Sequence, residues 1–151
     1  MNDKKGMTII VKTVTSWVKG LIILFGLYII LFGHLTPGGG FSGGVIVAGA
    51  YILLTLAFGS EVSLKNLKES IAREMDSVGA LLFLIVAALG IFFGGAFFIN
   101  FIHKFHPGEN FKFLSSGTIP LCNIAISLKV SMGLFIVFIM LSLTKVKKGD
   151  K

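Results

Sequence analysis

Three stretches of this sequence hold residue types able to bind or move ions. Lys129 stands alone among apolar residues in "NIAISLKVSMGLF"; His34 heads the charge-free, glycine-rich "HLTPGGGFSGG"; and "HKFHPGE" places His103, His106 and Glu109 three apart. If Pro120 opens a helix, as proline does at a first helical position, Lys129 lies about 14 Å in, near the midplane of a bilayer. An isolated lysine at that depth costs about 2.5 to 3.5 kcal/mol, so it must face protein or a cavity and find an acid, or deprotonate. The acids available are Asp3, Glu61, Glu69, Glu74, Asp76, Glu109 and Asp150, all outside the long apolar runs. The counter-charge is therefore expected from a partner subunit or from water. Two roles stand for Lys129: a group on an ion path, or a structural lysine bonded to carbonyls of a neighbour.

The other polar residues carry less. Histidine, with an unperturbed pKa of about 6.5, is the side chain suited to shuttling protons, which makes His34 a candidate, but a loop histidine capping the carbonyls of the first helix is the simpler account. His103, His106 and Glu109 lack a third nitrogen or sulfur ligand, and Pro107 and Gly108 break any helix there, so no metal site is expected. Lys19 falls near the cytoplasmic end of the first apolar run, where its stem can carry the charge out to water. Cys122, the single cysteine, excludes an internal disulfide and reads as a small buried residue. No Ser-His-Asp, Cys-His or paired-carboxylate arrangement falls in the apolar runs, so neither intrinsic catalysis nor a cofactor is expected.

These residues are positioned by a membrane domain. Of the 151 residues, 54% are hydrophobic and 14% charged, and the mean hydropathy is +0.91, too apolar for a water-soluble domain of this size. Four runs are long enough to cross about 30 Å of hydrocarbon: 14–33, 41–58, 78–101 and 120–143. The expected fold is thus all-α and integral to the membrane, one domain over 1–151 with four transmembrane helices. Ten basic residues, from Lys4 to Lys151, fall on the side of the termini and second loop, against Lys104 and Lys112 on the other, which places both termini in the cytoplasm. The net charge of +7 follows the ends of the runs, not a stripe with interleaved aromatics, and does not indicate nucleic acid. No cleavage site follows the first run, which is expected to remain. In the second loop Leu64, Leu67, Ile71 and Met75 recur at three- and four-residue spacing, which predicts a short amphipathic helix over 63–75 on the cytoplasmic face or on a partner. Asp76 or Ser77 would then cap the third span.

The glycine loop formally matches G-x-G-x-x-G at Gly38, Gly40 and Gly43, with Glu61 where an acid belongs. Its neighbours are apolar spans instead of a βαβ unit, and no Lys-Ser or Lys-Thr follows, so nucleotide binding is not expected. Pro37 keeps Thr36 out of the helical region, so the first helix ends by Gly33, read as a left-handed cap. Gly39 with Gly43, and Gly40 with Gly44, are small-xxx-small pairs continued by Ala48, a pattern that brings helices together at backbone distance. Exposed glycine backbone at membrane depth is also tolerated where it lines a water-filled path. Close packing against a neighbouring helix is the expected chief role of the glycines and a path the alternative, with Phe41 as an anchor or plug beside them.

"GHLTPGGGFSGGVIVAGAYIL" resembles the signature of the MrpB (MnhB) family, small membrane subunits of multisubunit cation/proton antiporters. The similarity runs on through "ESIAREMDSVGALLFLIVAALGIFFGG" into "SSGTIPLCNIAISLKVSMGLFIVFIML", nearly the whole chain in order. It carries one family block onto His34, Pro37, Gly38, Gly39, Gly40, Phe41, Gly43 and Gly44, and a later one onto Pro120, Asn123 and Lys129. Lys19 departs from the apolar residue expected there. The resemblance implies a multi-pass subunit in the cell membrane, assembled with other Mrp-type subunits that exchange sodium or a similar cation for protons. Lys129, His34 and Asn123 are its candidate ion-path residues, and the glycines, Pro37, Phe41 and Pro120 its packing motif. The same module resembles parts of membrane-bound hydrogenases and related redox complexes, so the alternative is a purely structural subunit of a redox-driven complex.

Overall fold

The computed structural model describes residues 7–35, 37–102 and 116–149 of the chain. It is an all-α, four-span membrane protein. Helix α1 runs Ile9–Phe32, α2 Gly40–Phe58, the short α3 Ser60–Asn66, α4 Glu69–Gly94, and α5 Ile119–Gly149. Helices α1, α2 and α4, with Ile119–Thr144 of α5, are long and apolar enough to cross a membrane. Their outer surfaces carry Trp17, Phe41, Phe92 and Leu141, each two-thirds exposed or more, an apolar display suited to lipid or partner helices.

The spans pack in the order α1, α2, α5, α4. Helix α2 lies between α1 and α5, while α4 meets the rest of the molecule chiefly through α5. Contacts are made by short residues: Ala48, Ala50, Ala57, Ala72, Ala87 and Ala125 are all buried. Small side chains let helix backbones approach, which replaces the hydrophobic driving force that lipid removes. A buried apolar cluster joins Ala72 of α4 to Met132, Phe135 and Ile139 of α5, with the Tyr51 ring of α2 set edge-on to Phe135 at 5.8 Å.

Several boundaries differ from the sequence expectation, each for a local reason. Helix α1 begins at Ile9, so Lys19 is its eleventh residue, about three turns in, and not a group near the end of the span. Gly33 ends α1 in the right-handed region (φ −64°). The left-handed-region glycines are instead Gly38 and Gly39, which turn the chain into α2. The segment expected as one amphipathic helix over 63–75 is broken. Helix α3 stops at Asn66, Leu67 is extended, and α4 starts at Glu69. Leu64, Leu67 and Met75 thereby all reach the α5 cluster, whereas Ile71 stays exposed. No glycine or proline marks that break. The buried hydroxyls of Thr55 and Ser63, 2.7 Å apart, tie α2 to α3 across Gly59 (φ 90°).

The third span ends at Gly94, not Phe101. Gly95 adopts the left-handed conformation (φ 84°) and its N–H returns to the Ile91 carbonyl, a C-terminal stop that glycine makes without strain. The chain then folds back, with the Phe98 N–H donating to the Ala87 carbonyl. Asn100 fastens this return to α5: its Nδ2 donates to the Ser116 carbonyl and its Oδ1 accepts the Thr118 N–H. His103, His106, Pro107, Gly108 and Glu109 lie outside the described residues, as does Thr36.

Candidate functional site

Two close crossings position the polar residues. The first is built by the glycine turn. A methyl group on Gly40 would overlap the backbone of Asn123, and one on Gly44 would meet the Ser127 carbonyl at 2.9 Å. Along the same helix Gly43 faces the other way, where a methyl would strike Ile30 and the Gly26 carbonyl of α1. Glycines at successive helical offsets thus serve two neighbours, α5 on one side and α1 on the other. The neighbours at these glycines belong to this chain.

Asn123 completes the turn. Its Oδ1 accepts the Gly40 N–H at 3.2 Å, satisfying one of the donors that a helix start leaves open. No side chain of the preceding residues caps α2, because its N-cap is Gly39. A residue 83 positions away in sequence thereby does the work of a local cap. The Ser42 hydroxyl donates back to the Gly39 carbonyl. Pro37 and Gly38 are exposed on the turn, His34 is half-buried beside it, and Phe41 projects outward, 66% exposed. Pro120 is the second residue of α5, in the first turn, where its missing N–H leaves no intrahelical bond unmade.

The second crossing holds an ion pair. Lys129 Nζ lies 3.2 Å from both Oδ1 and Oδ2 of Asp76, linking α5 to α4. This overturns the expectation that the acids stand outside the spans and that another subunit or water must neutralise Lys129. Asp76 is not a cap: α4 has begun at Glu69 and includes it. Each charged residue packs against a glycine of the other helix, Lys129 through its backbone and Asp76 through its carboxylate. A methyl on Gly79 would fall 2.8 Å from the Lys129 amide nitrogen, and one on Gly133 would fall 3.3 Å from Asp76 Oδ1. Gly79 lets the backbones meet, and Gly133 leaves room for the carboxylate. Asp76 lies one turn before Gly79, and Gly133 one turn after Lys129, so in antiparallel helices the four residues interlock. Sequence reasoning missed Asp76 as the partner. The available signal was this pairing of a charge with a glycine one turn away on each of two helices.

The pair neutralises Lys129 inside one chain but does not enclose it: the lysine side chain is 51% exposed and the aspartate 29%. Lys129 and Asn123 are not brought together. Asn123 and Ser127 face α2, whereas Ala125 and Lys129 face α4. Lys129 is also about 9 Å further along α5 than Asn123. His34 and Asn123 belong to the glycine turn and Lys129 to the charged crossing. Among the described residues no cluster of His, Cys, Asp or Glu is arranged to hold a metal ion.

Comparison with known proteins gives this geometry its context. The profile of the "domain related to MnhB subunit of Na+/H+ antiporter" matches residues 10–136. A protein of Methanocaldococcus jannaschii is 37% identical over 143 residues, covering 92% of this chain and 54% of that one. The putative antiporter subunit mnhB2 of Staphylococcus aureus is 40% identical over 89 residues, 59% of this chain and 62% of the relative. Among solved structures, a chain of the membrane-bound sulfane sulfur reductase, an archaeal respiratory membrane complex, superposes with a TM-score of 0.69 at 28% identity. The match covers 93% of this chain and 63% of that one. The chain therefore spans between half and two-thirds of the length of these relatives. With four spans, the glycine turn and a family match running from α1 well into α5, it belongs to the MnhB-related family of subunits of multisubunit membrane complexes.

Proposed function

We propose that this chain is a structural subunit of a redox-driven membrane complex built around an MnhB-type module. The observation that carries this reading is the similarity to the sulfane sulfur reductase chain, which extends over nearly the whole protein at both sequence and fold level. In this reading both termini are cytoplasmic, as the distribution of basic residues favours. Catalysis and the main translocation machinery belong to other subunits. Lys129, paired with Asp76, and Asn123, bonded to Gly40, hold helices in place instead of passing ions. The module as a whole serves exchange of sodium or a similar cation for protons.

A second reading, a subunit of a stand-alone cation/proton antiporter, draws support from the staphylococcal relatives. Purification of the tagged full chain from its native membrane in mild detergent separates the two. The redox reading expects co-purifying subunits with reducible centres, seen by visible absorption and electron paramagnetic resonance. Recovery of an intact multisubunit complex with no redox centre would overturn it in favour of the antiporter.

A further inference from the structure

We propose that the half-open Lys129–Asp76 pair is a docking point for a transmembrane helix of a neighbouring subunit that presents a carboxylate to the Lys129 ammonium. The inference rests on the chain being one subunit of a multisubunit complex.

The first ground is which charge faces outward. Among the described residues two ion pairs lie on this side of α4, and in both the cation is the more exposed member. Lys129 is 51% exposed against 29% for Asp76, and Arg73 is 58% exposed against 31% for Glu69. Glu69, Arg73 and Asp76 follow one another at helical offsets of four and three, so they share a stripe along α4, which Lys129 joins from α5. The surface shown to a neighbour is cationic although each pair is neutral, and charge complementarity calls for an acidic group opposite it.

The second ground is unspent hydrogen-bonding capacity. An ammonium group has three donors, and the two contacts to Asp76 leave one for an acceptor outside the chain. The third is depth. Lys129 is about 15 Å from the start of α5 at Ile119 and further from Thr144, beyond the reach of lipid headgroups at either end of the span. Hydrocarbon supplies no acceptor, so the group opposite belongs to protein or to water that protein encloses, and either requires a neighbouring subunit to cover Lys129. Finally, α4 packs on its own chain chiefly through α5, which leaves its remaining surface for another helix.

The test measures how much of each neighbouring subunit co-purifies with the tagged full chain from native membranes, for the wild type and three variants. Lys129→Arg keeps the cation and is expected to recover at least half of the wild-type amount. Lys129→Gln is expected to lower recovery at least fivefold. The decisive variant exchanges the charges, Asp76→Lys with Lys129→Asp. It preserves the bond between α4 and α5 but turns an anion toward the partner, and is expected to lose the neighbours as fully as Lys129→Gln. Wild-type recovery with the exchanged pair would overturn the proposal, since the pair would then act only within the chain. A photo-crosslinking residue at Ala80, one turn from Asp76 on the same stripe, gives an answer that needs no charge variant. It is expected to label a membrane helix of another subunit, and labelling of lipid alone would overturn the proposal. If the redox reading fails but an antiporter complex is recovered, these outcomes still decide the docking point. A wild-type chain that purifies alone overturns both.

Discussion

The two crossings of α5 solve one problem in different ways. Against α2, the chain brings backbones together with Gly40 and Gly44 and places no charge at the contact, so the interface closes on itself. Against α4, it uses one glycine from each helix to house a lysine and an aspartate, and the result is left half exposed. Shape alone completes the first interface. The second is completed only when something polar covers it, because charges at membrane depth are tolerated when they face protein or water. The glycine crossing therefore reads as internal architecture, and the charged crossing as the side on which the subunit has business with its neighbours.

The largest effect expected from breaking this contrast is at Gly40. Any side chain there runs into the Asn123 backbone, which cannot rotate away as a side-chain tip can. Gly40→Leu should abolish the folded chain in membranes, and Gly40→Ala should already cost about 1 to 3 kcal/mol, the range for overpacking a filled interface. Gly44→Ala should fall lower in that range, since its contacts with Ser127 and Val130 are near 3 Å. Thermal unfolding of the detergent-solubilised full chain, followed by circular dichroism, checks the order. Equal stability of Gly40→Ala and wild type would show that the helices are further apart than described.

Next comes Asp76→Ala, which leaves Lys129 charged in a span without its partner. The expected loss is up to about 3 kcal/mol, the cost of a lone lysine on insertion scales. The double variant Asp76→Leu with Lys129→Met should recover most of the chain's own stability, because an ion pair and an apolar pair are often nearly equivalent when the pair is removed whole. The same double variant should fail to recover neighbouring subunits. Stability restored together with full assembly would mean that the charged crossing is as self-contained as the glycine one. A smaller loss, about 1 kcal/mol, is expected for Asn123→Ala, which removes the acceptor for the Gly40 N–H and nothing else at that contact.

How much of this was legible in the sequence follows from the same contrast. The spans follow from hydropathy, and the close approach at Gly40, Gly43 and Gly44 follows from spacing, because small residues four apart have one dominant use in membrane helices. The Asp76–Lys129 pair was hidden by the same reasoning. Charges mark the ends of apolar runs, so Asp76 reads as the polar edge of the third span. In the structure α4 begins two turns earlier, where Phe135 and Ile139 of α5 cover Ala72 and supply the apolar surroundings that α4's own sequence lacks. The third span was read too long for the opposite reason: 95–101 is apolar but for Asn100, yet Gly95 turns left-handed and the aromatic residues fold back over the helix. Which residues are apolar is written locally. Where an apolar segment stops being a helix, and which distant residue neutralises a charge, depends on what packs against it.

The smallest expected effect sharpens the comparison most cleanly, because it changes the same residue type on the same helix. Gly49 lies in α2 beyond the glycine crossing, is exposed, and has nothing within 4 Å of where a side chain would begin. A helix-interior glycine in open space costs helix stability through its backbone freedom, about 0.5 to 1 kcal/mol relative to alanine in water. Gly49→Ala should therefore leave the isolated chain unchanged or up to about 1 kcal/mol more stable, opposite in sign to Gly44→Ala one and a half turns away. Destabilisation of the isolated chain by Gly49→Ala would mean that α2 is packed on a side the structure leaves open. A neutral or stabilised chain that nonetheless loses its neighbouring subunits would place a second partner on α2, and would move the charged crossing from being the contact face to being one of two.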